Sequence, residues 1–231
     1  MQQTLDLPEY ELSLSVVEDT TVLFQQPERA ATSLVFDPAR HVFEDSFAVL
    51  GHDAQGRLMH TQAVGYCDPE TSLRRYIRSS FLDFRPADYP LHALSCTMNL
   101  PDEFAFMRGS FAYQGELWMC PGRGGRQGLG LARKLTNFAM MHALQRWDYD
   151  MIWAVVEEKK LRAKFPQRSG YLHHNGPAFQ WKAGAQSLDE HVVWSLAEEV
   201  PNYSNDIRCE GMGSVNTASL PSESSGTVMR L

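Results

Sequence analysis

Gly115 to Lys159 reads GELWMCPGRGGRQGLGLARKLTNFAMMHALQRWDYDMIWAVVEEK, and this order of residue types decides the fold. Glu116 to Cys120 suits a strand, and Pro121 ends it. Gly122, Gly124 and Gly125 permit turn conformations that residues with a Cβ avoid. A helix is predicted from Gln127 or Gly128. Leu131, Leu135, Phe138 and Ala139 fall at i, i+4, i+7 and i+8, which is one helical face. Asp148 to Asp150 interrupt that pattern. Met151 to Val156 is a short apolar run, long enough for a buried strand and too short for a helix.

A strand, a glycine-rich turn and a helix in that order present free backbone N–H groups at the positive end of a helix dipole, which attracts anions. Glycines let a phosphate approach the main chain, and Arg123 and Arg126 add charge. Two common phosphate motifs are excluded by spacing. A P-loop needs Lys and then Ser or Thr after its last glycine, but Leu131 and Ala132 follow Gly130. The dinucleotide pattern GxGxxG needs glycine at 127, where Gln127 stands.

Arg126-Gln127-Gly128-Leu129-Gly130-Leu131-Ala132 resembles motif A of the GNAT superfamily of acyl-CoA N-acyltransferases, Gln/Arg-x-x-Gly-x-Gly/Ala, which lies between a strand and a helix. The chain departs from that motif at its first position, which falls on Gly125. The resemblance implies an α/β (α+β) fold with a mixed, mostly antiparallel central sheet flanked by helices. It also implies acetyl-CoA or another acyl-CoA as co-substrate. Its pantetheine would lie along Met119 and Cys120, and its pyrophosphate against Gly125, Arg126, Gln127, Gly128, Leu129 and Gly130.

Length and composition set the outer bounds. A chain of 231 residues suits one domain with appendages. The expected division is a flexible N-terminus over 1–9, an acyltransferase domain over 10–203 and a disordered Ser/Gly-rich tail over 204–231. The net charge of −7 argues against a nucleic-acid surface. The four cysteines form no CxxC pair, so neither a zinc ribbon nor a redox dithiol is suggested. No signal peptide or membrane span is read, which makes the cytoplasm the default location. No metal is expected. The expected partner is a small-molecule amine or a protein acceptor, and the reading leaves room for a homodimer.

The rest of the chain supplies a frame. Tyr10 to Val17 alternates as a strand, and Thr20 to Phe24 and Leu34 to Phe36 also look extended. Ser46 to Tyr66 is the clearest hairpin, turning at Ala54–Arg57. Glu70 to Phe84 reads as a helix with Leu73, Ile77, Phe81 and Phe84 on one stripe. His92 to Leu100 and Phe104 to Tyr113 read as strand material with a loop, and Tyr89, Met98 and Phe106 are candidates to line a pocket. Glu157 to Arg168 reads as a short helix interrupted by Pro166. Ser169-Gly170-Tyr171 resembles the Gly-Phe ending of the superfamily's motif B, although Pro166 occupies the place of that motif's tyrosine. His173 to Pro177 reads as a turn, followed by an antiparallel pair over Phe179–Lys182 and His191–Leu196.

Acyl transfer to an amine needs a proton acceptor and donors for the developing oxyanion. Glu116, on the strand entering the turn, is the first candidate base. His173 and His174 are the second, because histidine titrates near neutral pH. Tyr171 is a candidate proton donor. Cys120 is a weaker candidate for a covalent route, which needs an activating base beside it. Three functions share this core: transfer of acetyl from CoA, transfer of a longer acyl group from CoA or an acyl carrier protein, and acyl-CoA sensing without turnover.

Overall fold

Leu12, Leu14 and Val16 alternate with Ser13, Ser15 and Val17. Strand β2 (Leu12–Val17) buries the first set and leaves the second at least partly exposed. That two-residue period recurs through most of the chain, and the computed structural model describes residues 4–27, 32–86, 95–121, 128–183 and 185–200. The other strands are β1 (Thr4–Leu7), β3 (Asp45–His52), β4 (Leu58–Cys67), β5 (Thr97–Met98), β6 (Phe111–Met119), β7 (Met151–Glu157), β8 (His173–Ala183) and β9 (Gln186–Leu196). Among the described residues they form one nine-stranded sheet in the order β1-β2-β3-β4-β6-β7-β9-β8-β5. Every pairing is antiparallel except β6 with β7. The sheet is thus mixed and mostly antiparallel, as expected.

The β3–β4 hairpin matches the reading of 46–66. Asp53 Oδ1 accepts the Gln55 and Arg57 N–H groups, each at 3.0 Å, and Oδ2 accepts Arg57 Nε at 2.8 Å. One aspartate therefore sets the turn.

Helix α2 (Gly128–Trp147) covers one face of the sheet. Leu131, Leu135, Ala139, Met140 and Ala143 are buried there against Phe47, Val49, Val64, Ala112 and Ile152. Burial of each larger apolar side chain contributes roughly 1.5–3 kcal/mol, so this stripe holds the helix whatever its intrinsic propensity. The opposite face packs under helix α1 (Leu73–Ser79) and is rich in aromatic rings. Tyr113 and Trp153 lie 4.6 Å apart between ring centroids, and Phe81 stacks on Trp181 at 4.8 Å.

Several expectations are corrected. Thr4–Leu7, read as flexible, is the edge strand β1 paired to β2. Thr20–Phe24 and Leu34–Phe36, read as extended, form 3-10 turns over Thr20–Gln25 and Leu34–Phe36; Asp19 caps the first by accepting the Thr21 N–H. The helix read over 70–84 is α-helical only from Leu73 to Ser79 and continues as a 3-10 turn over Phe81–Phe84. The strand material read over 92–100 and 104–113 is present as β5 and the first residues of β6, with a 3-10 turn at Asp102–Ala105 between them. The helix read over 157–168 is two: α3 (Glu158–Arg162) and α4 (Phe165–Ser169). Pro166 sits in the first turn of α4, where its missing N–H costs nothing. His173–Pro177 is strand, not turn, with a register shift between Asn175 and Phe179. The tail over 204–231 and Tyr89 lie outside the described residues.

Candidate functional site

Strand β6 runs beside β7 for only three residue pairs: Phe111 with Met151, Ala112 with Ile152 and Tyr113 with Trp153. Past that point β6 continues to Met119 and β7 to Glu157 without pairing. Two parallel strands that part in this way leave main-chain groups on their facing edges outside any ladder between them. The cause of the parting is visible on the other side of β6. Thr61 of β4 pairs with Trp118 and Ala63 with Gly115, so Gln62 alone opposes both Glu116 and Leu117. This is a β-bulge, which bends its strand and sharpens its twist.

The bulge centres on Glu116, whose φ of 59° lies in the left-handed region. That conformation costs a residue with a Cβ about 1–2 kcal/mol. Two bonds oppose the cost. Thr61 Oγ1 donates to the Glu116 carbonyl at 3.1 Å, and the Ser33 N–H donates to Glu116 Oε1 at 2.9 Å. The Glu116 carboxylate is therefore fixed on the aromatic face of the sheet, at the parting.

Met119 and Cys120 close the strand and pack toward the α2 face, with the Cys120 N–H bonded to the Met59 carbonyl at 2.9 Å. Gly125, Arg126 and Gln127 lie outside the described residues. Gly128 and Leu129 open α2, and Gly130 follows in its first turn. Gly130 has a local reason to be glycine. A Cβ there would come 2.9 Å from the Tyr10 hydroxyl, so the N-terminal 3-10 turn at Pro8–Tyr10 closes over the start of α2. Lys134 joins the same contact, bonding Glu9 at 2.6 Å and lying over the Tyr10 ring.

Tyr171 is buried on the α2 face, and its hydroxyl donates to Gln114 Oε1 at 2.6 Å. Burial first, then Tyr149 and Tyr113, hold its phenol well above the usual range. Gln114 Nε2 in turn donates to Gln62 Oε1 at 3.0 Å and to the Thr136 carbonyl at 3.3 Å. Gln62 Nε2 donates to the Leu135 carbonyl at 2.7 Å. Gln114 is the first β6 residue past the last β6–β7 pair, and Gln62 is the residue opposite the bulge. This buried chain ties the parting to the middle of α2.

The structure does not bring His173 to Glu116. His173 lies on β8, three strands from β6, and three spacings of about 4.8 Å put roughly 14 Å of sheet between them. Its Nε2 bonds Glu199 at 2.9 Å and its ring stacks on Trp194. His174, its neighbour on β8, is exposed.

Sequence reading passed over Gln62, Gln114, Trp153 and Glu190. Gln62 and Gln114 are polar residues at core positions of their strands. Glu190 carried a clearer signal: Leu188, Glu190, Val192 and Trp194 share one side of β9, so an acid stands where the alternation calls for an apolar residue. Burial pushes its carboxyl up to about 7. The Trp153 indole N–H is buried at the last parallel pair and has no acceptor among the described residues.

Among the described residues, no group of three or more His, Cys, Asp or Glu side chains gathers as a metal site. No helix among them is long and apolar enough to cross a membrane.

No family model matches this chain, and no curated protein matches it. Solved structures do. An uncharacterized protein from Bacillus halodurans superposes with a TM-score of 0.51 at 10% identity, over 90% of this chain and 97% of that one. The spermidine/spermine N-acetyltransferase SpeG from Vibrio cholerae, solved with manganese ions, gives 0.48 at 16% identity, over 84% and 97%. A dodecameric form of the Vibrio cholerae spermidine N-acetyltransferase gives 0.48 at 16%, over 84% and 98%. The chain shares its fold with the Bacillus protein.

Proposed function

We propose that this protein is an N-acyltransferase that moves an acyl group, most commonly acetyl, from CoA to an amine of a small molecule or a protein. The observation that carries this reading is the parting of β6 from β7 at a bulge, on a strand that leads through a glycine-rich sequence to α2. A thioester arm is a thin, polar chain that can pair with strand edges, and the parted edges of β6 and β7 offer such groups. The residues present suit the CoA end as well. α2 is 20 residues long, so its dipole favours an anion at its start. The resemblance of 126–132 to motif A supports the same placement.

In this reading the acyl-CoA arm enters along Met119 and Cys120, and main-chain N–H groups beside the parting polarise the thioester carbonyl. The amine approaches from the aromatic face, where Glu116 draws and orients its ammonium form. Tyr171 fixes Gln114 where the strands separate; its proton is committed to Gln114, and delivery to the leaving sulfur would break that bond. We place the reaction in the cytoplasm, whose reducing conditions suit the free thiols Cys67, Cys96 and Cys120.

Thermal unfolding with acetyl-CoA, a long-chain acyl-CoA, CoA and ATP in parallel tests the reading. A ligand at 100 times its Kd stabilises by about 2.7 kcal/mol, roughly 5–11 °C for a chain of this size. The expected result is a shift with a CoA thioester and none with ATP. No shift with any CoA compound overturns a free-CoA donor and leaves carrier-protein donors to be tried. A shift without release of free CoA in the presence of amines identifies a sensor.

A further inference from the structure

Glu190 is 9% exposed. It lies opposite Glu157 of β7 in one register and opposite Phe179 of β8 in the other. Its Oε2 accepts the indole N–H of Trp181 at 2.6 Å. Trp181 is itself fully buried and packs against both Phe81 and Phe179, which also stack on each other. Among the described residues no cation forms an ion pair with Glu190. A carboxylate buried without a cation partner costs stability in its charged form.

Its position relates it to the parting. β6 and β7 last pair at Tyr113 and Trp153. Glu116 lies three residues farther along β6. Glu157, and with it Glu190 across the β7–β9 ladder, lies four residues farther along β7. Both carboxyls belong to the aromatic face: Glu116 on β6 at the opening, and Glu190 on β9, the strand next to β7 on its far side. Both act on the phenol of Tyr113, which burial, Glu190 and Glu116, in that order, push well above its usual range.

We infer that Glu190 takes the proton from the acceptor ammonium, while Glu116 holds the cation at the opening. This rests on the acyl-transfer reading and adds its missing base. The acceptor R–NH3+ gives one proton to the Glu190 carboxylate. The freed nitrogen lone pair forms a bond to the thioester carbon, and the C=O π pair moves to oxygen. Collapse restores the carbonyl and breaks the C–S bond. The departing thiolate takes up the second proton lost by nitrogen, and Glu190 returns the first to solvent. The sum is R–NH3+ plus acyl-CoA giving the amide, CoA thiol and H+.

The division of labour follows from environment. A general base works best when its pKa lies near the operating pH. Burial pushes Glu190 up to about 7; the Trp181 N–H opposes that, Glu157 on β7 adds to it and Lys160 on α3 opposes it. Tyr113 faces the pair from β6 and stays neutral. The competing role, an acceptor that only anchors Trp181, predicts no effect on the reaction when another acceptor takes its place.

Glu190→Gln makes that replacement, because the amide oxygen still accepts the indole N–H. The test compares wild type, E190Q and W181F for CoA release at saturating acetyl-CoA across a panel of primary amines, from pH 5.5 to 9, together with the acetyl-CoA thermal shift. Wild-type kcat is expected to rise with a midpoint near 7. E190Q is expected to keep the thermal shift, to lose that limb and to fall about 10²–10⁴-fold in kcat. W181F removes the bond that favours the carboxylate, so its limb moves to higher pH. This keeps the test decisive even if E190Q does not fold. Wild-type kcat and limb in E190Q, or an unmoved limb in W181F, overturn the assignment while acyl transfer stands. No CoA release by wild type with any amine overturns acyl transfer, and the role of Glu190 with it.

Discussion

Trp181 donates its indole N–H to Glu190 Oε2 across 2.6 Å inside the sheet's aromatic face, so this face carries a buried acid bonded to a fully buried ring. The stability of the protein should report that acid directly. Burial raises the folded-state pKa of Glu190 from 4.5 to about 7. Between those values the folded chain holds a proton that the unfolded chain has released. Stability from this group is therefore complete below 4.5 and is lost as pH rises through 7. The shift corresponds to about 3 kcal/mol. Urea unfolding at pH 5 and pH 8 should show wild type losing stability across this range relative to E190Q. Parallel pH dependences in the two proteins would show that Glu190 is not shifted.

Tyr171→Phe keeps the ring and removes the proton that Gln114 Oε1 accepts. A buried acceptor left without its donor costs about 1–3 kcal/mol. Chemical denaturation should show that loss. Because Gln114 stands where β6 leaves β7, the same change should raise KM for acyl-CoA more than it lowers kcat. A drop in kcat with unchanged stability would instead assign Tyr171 to proton donation.

Gly130 and Tyr10 should be energetically coupled. Alanine normally gains up to about 1 kcal/mol over glycine within a helix, but at Gly130, in the first turn of α2, its Cβ would meet the Tyr10 hydroxyl at 2.9 Å. Gly130→Ala should therefore destabilise the wild type and stabilise a Tyr10→Phe background. A double-mutant cycle on unfolding free energies measures the coupling. Additive effects would mean that the N-terminal turn moves aside freely.

Glu116→Gln leaves an acceptor for the Ser33 N–H and removes the charge. If Glu116 orients an ammonium, loss of that charge-assisted bond is worth about 1.5–3 kcal/mol, which is roughly 10- to 150-fold in KM for the amine. Steady-state kinetics with the amine varied would show it. An unchanged KM places the cation elsewhere.

Gly170 ends α4 with φ at 93°, and a Cβ there would lie 2.7 Å from Asn137 Oδ1. Gly170→Ala should cost more than the 1–2 kcal/mol of the left-handed conformation alone. Thermal unfolding tests this, and a neutral outcome would mean that Asn137 rotates away.

The sequence by itself determined the local frame. The apolar stripe of Leu131, Leu135 and Ala139 specified α2, and the alternation in 12–17 and 46–66 specified strands. These are properties of neighbours in the chain, written in periods of 3.6 and 2. Short segments were less legible. Leu34–Phe36 has the apolar character of a strand, but strand identity needs a partner ladder, and there the chain coils into a 3-10 turn. The site depended on contacts that no local pattern contains. The bulge at Glu116 exists because Gln62, more than fifty residues away, faces two residues at once. Glu190 lies on the strand flanking β7 only because β9 inserts between β7 and β8. The same insertion carries His173 away from Glu116, although Tyr171 and His173 are near neighbours in sequence. Chain order fixes which residues exist and which way each strand turns them; strand order across the sheet decides which of them share an opening, and strand order is a property of the assembled core.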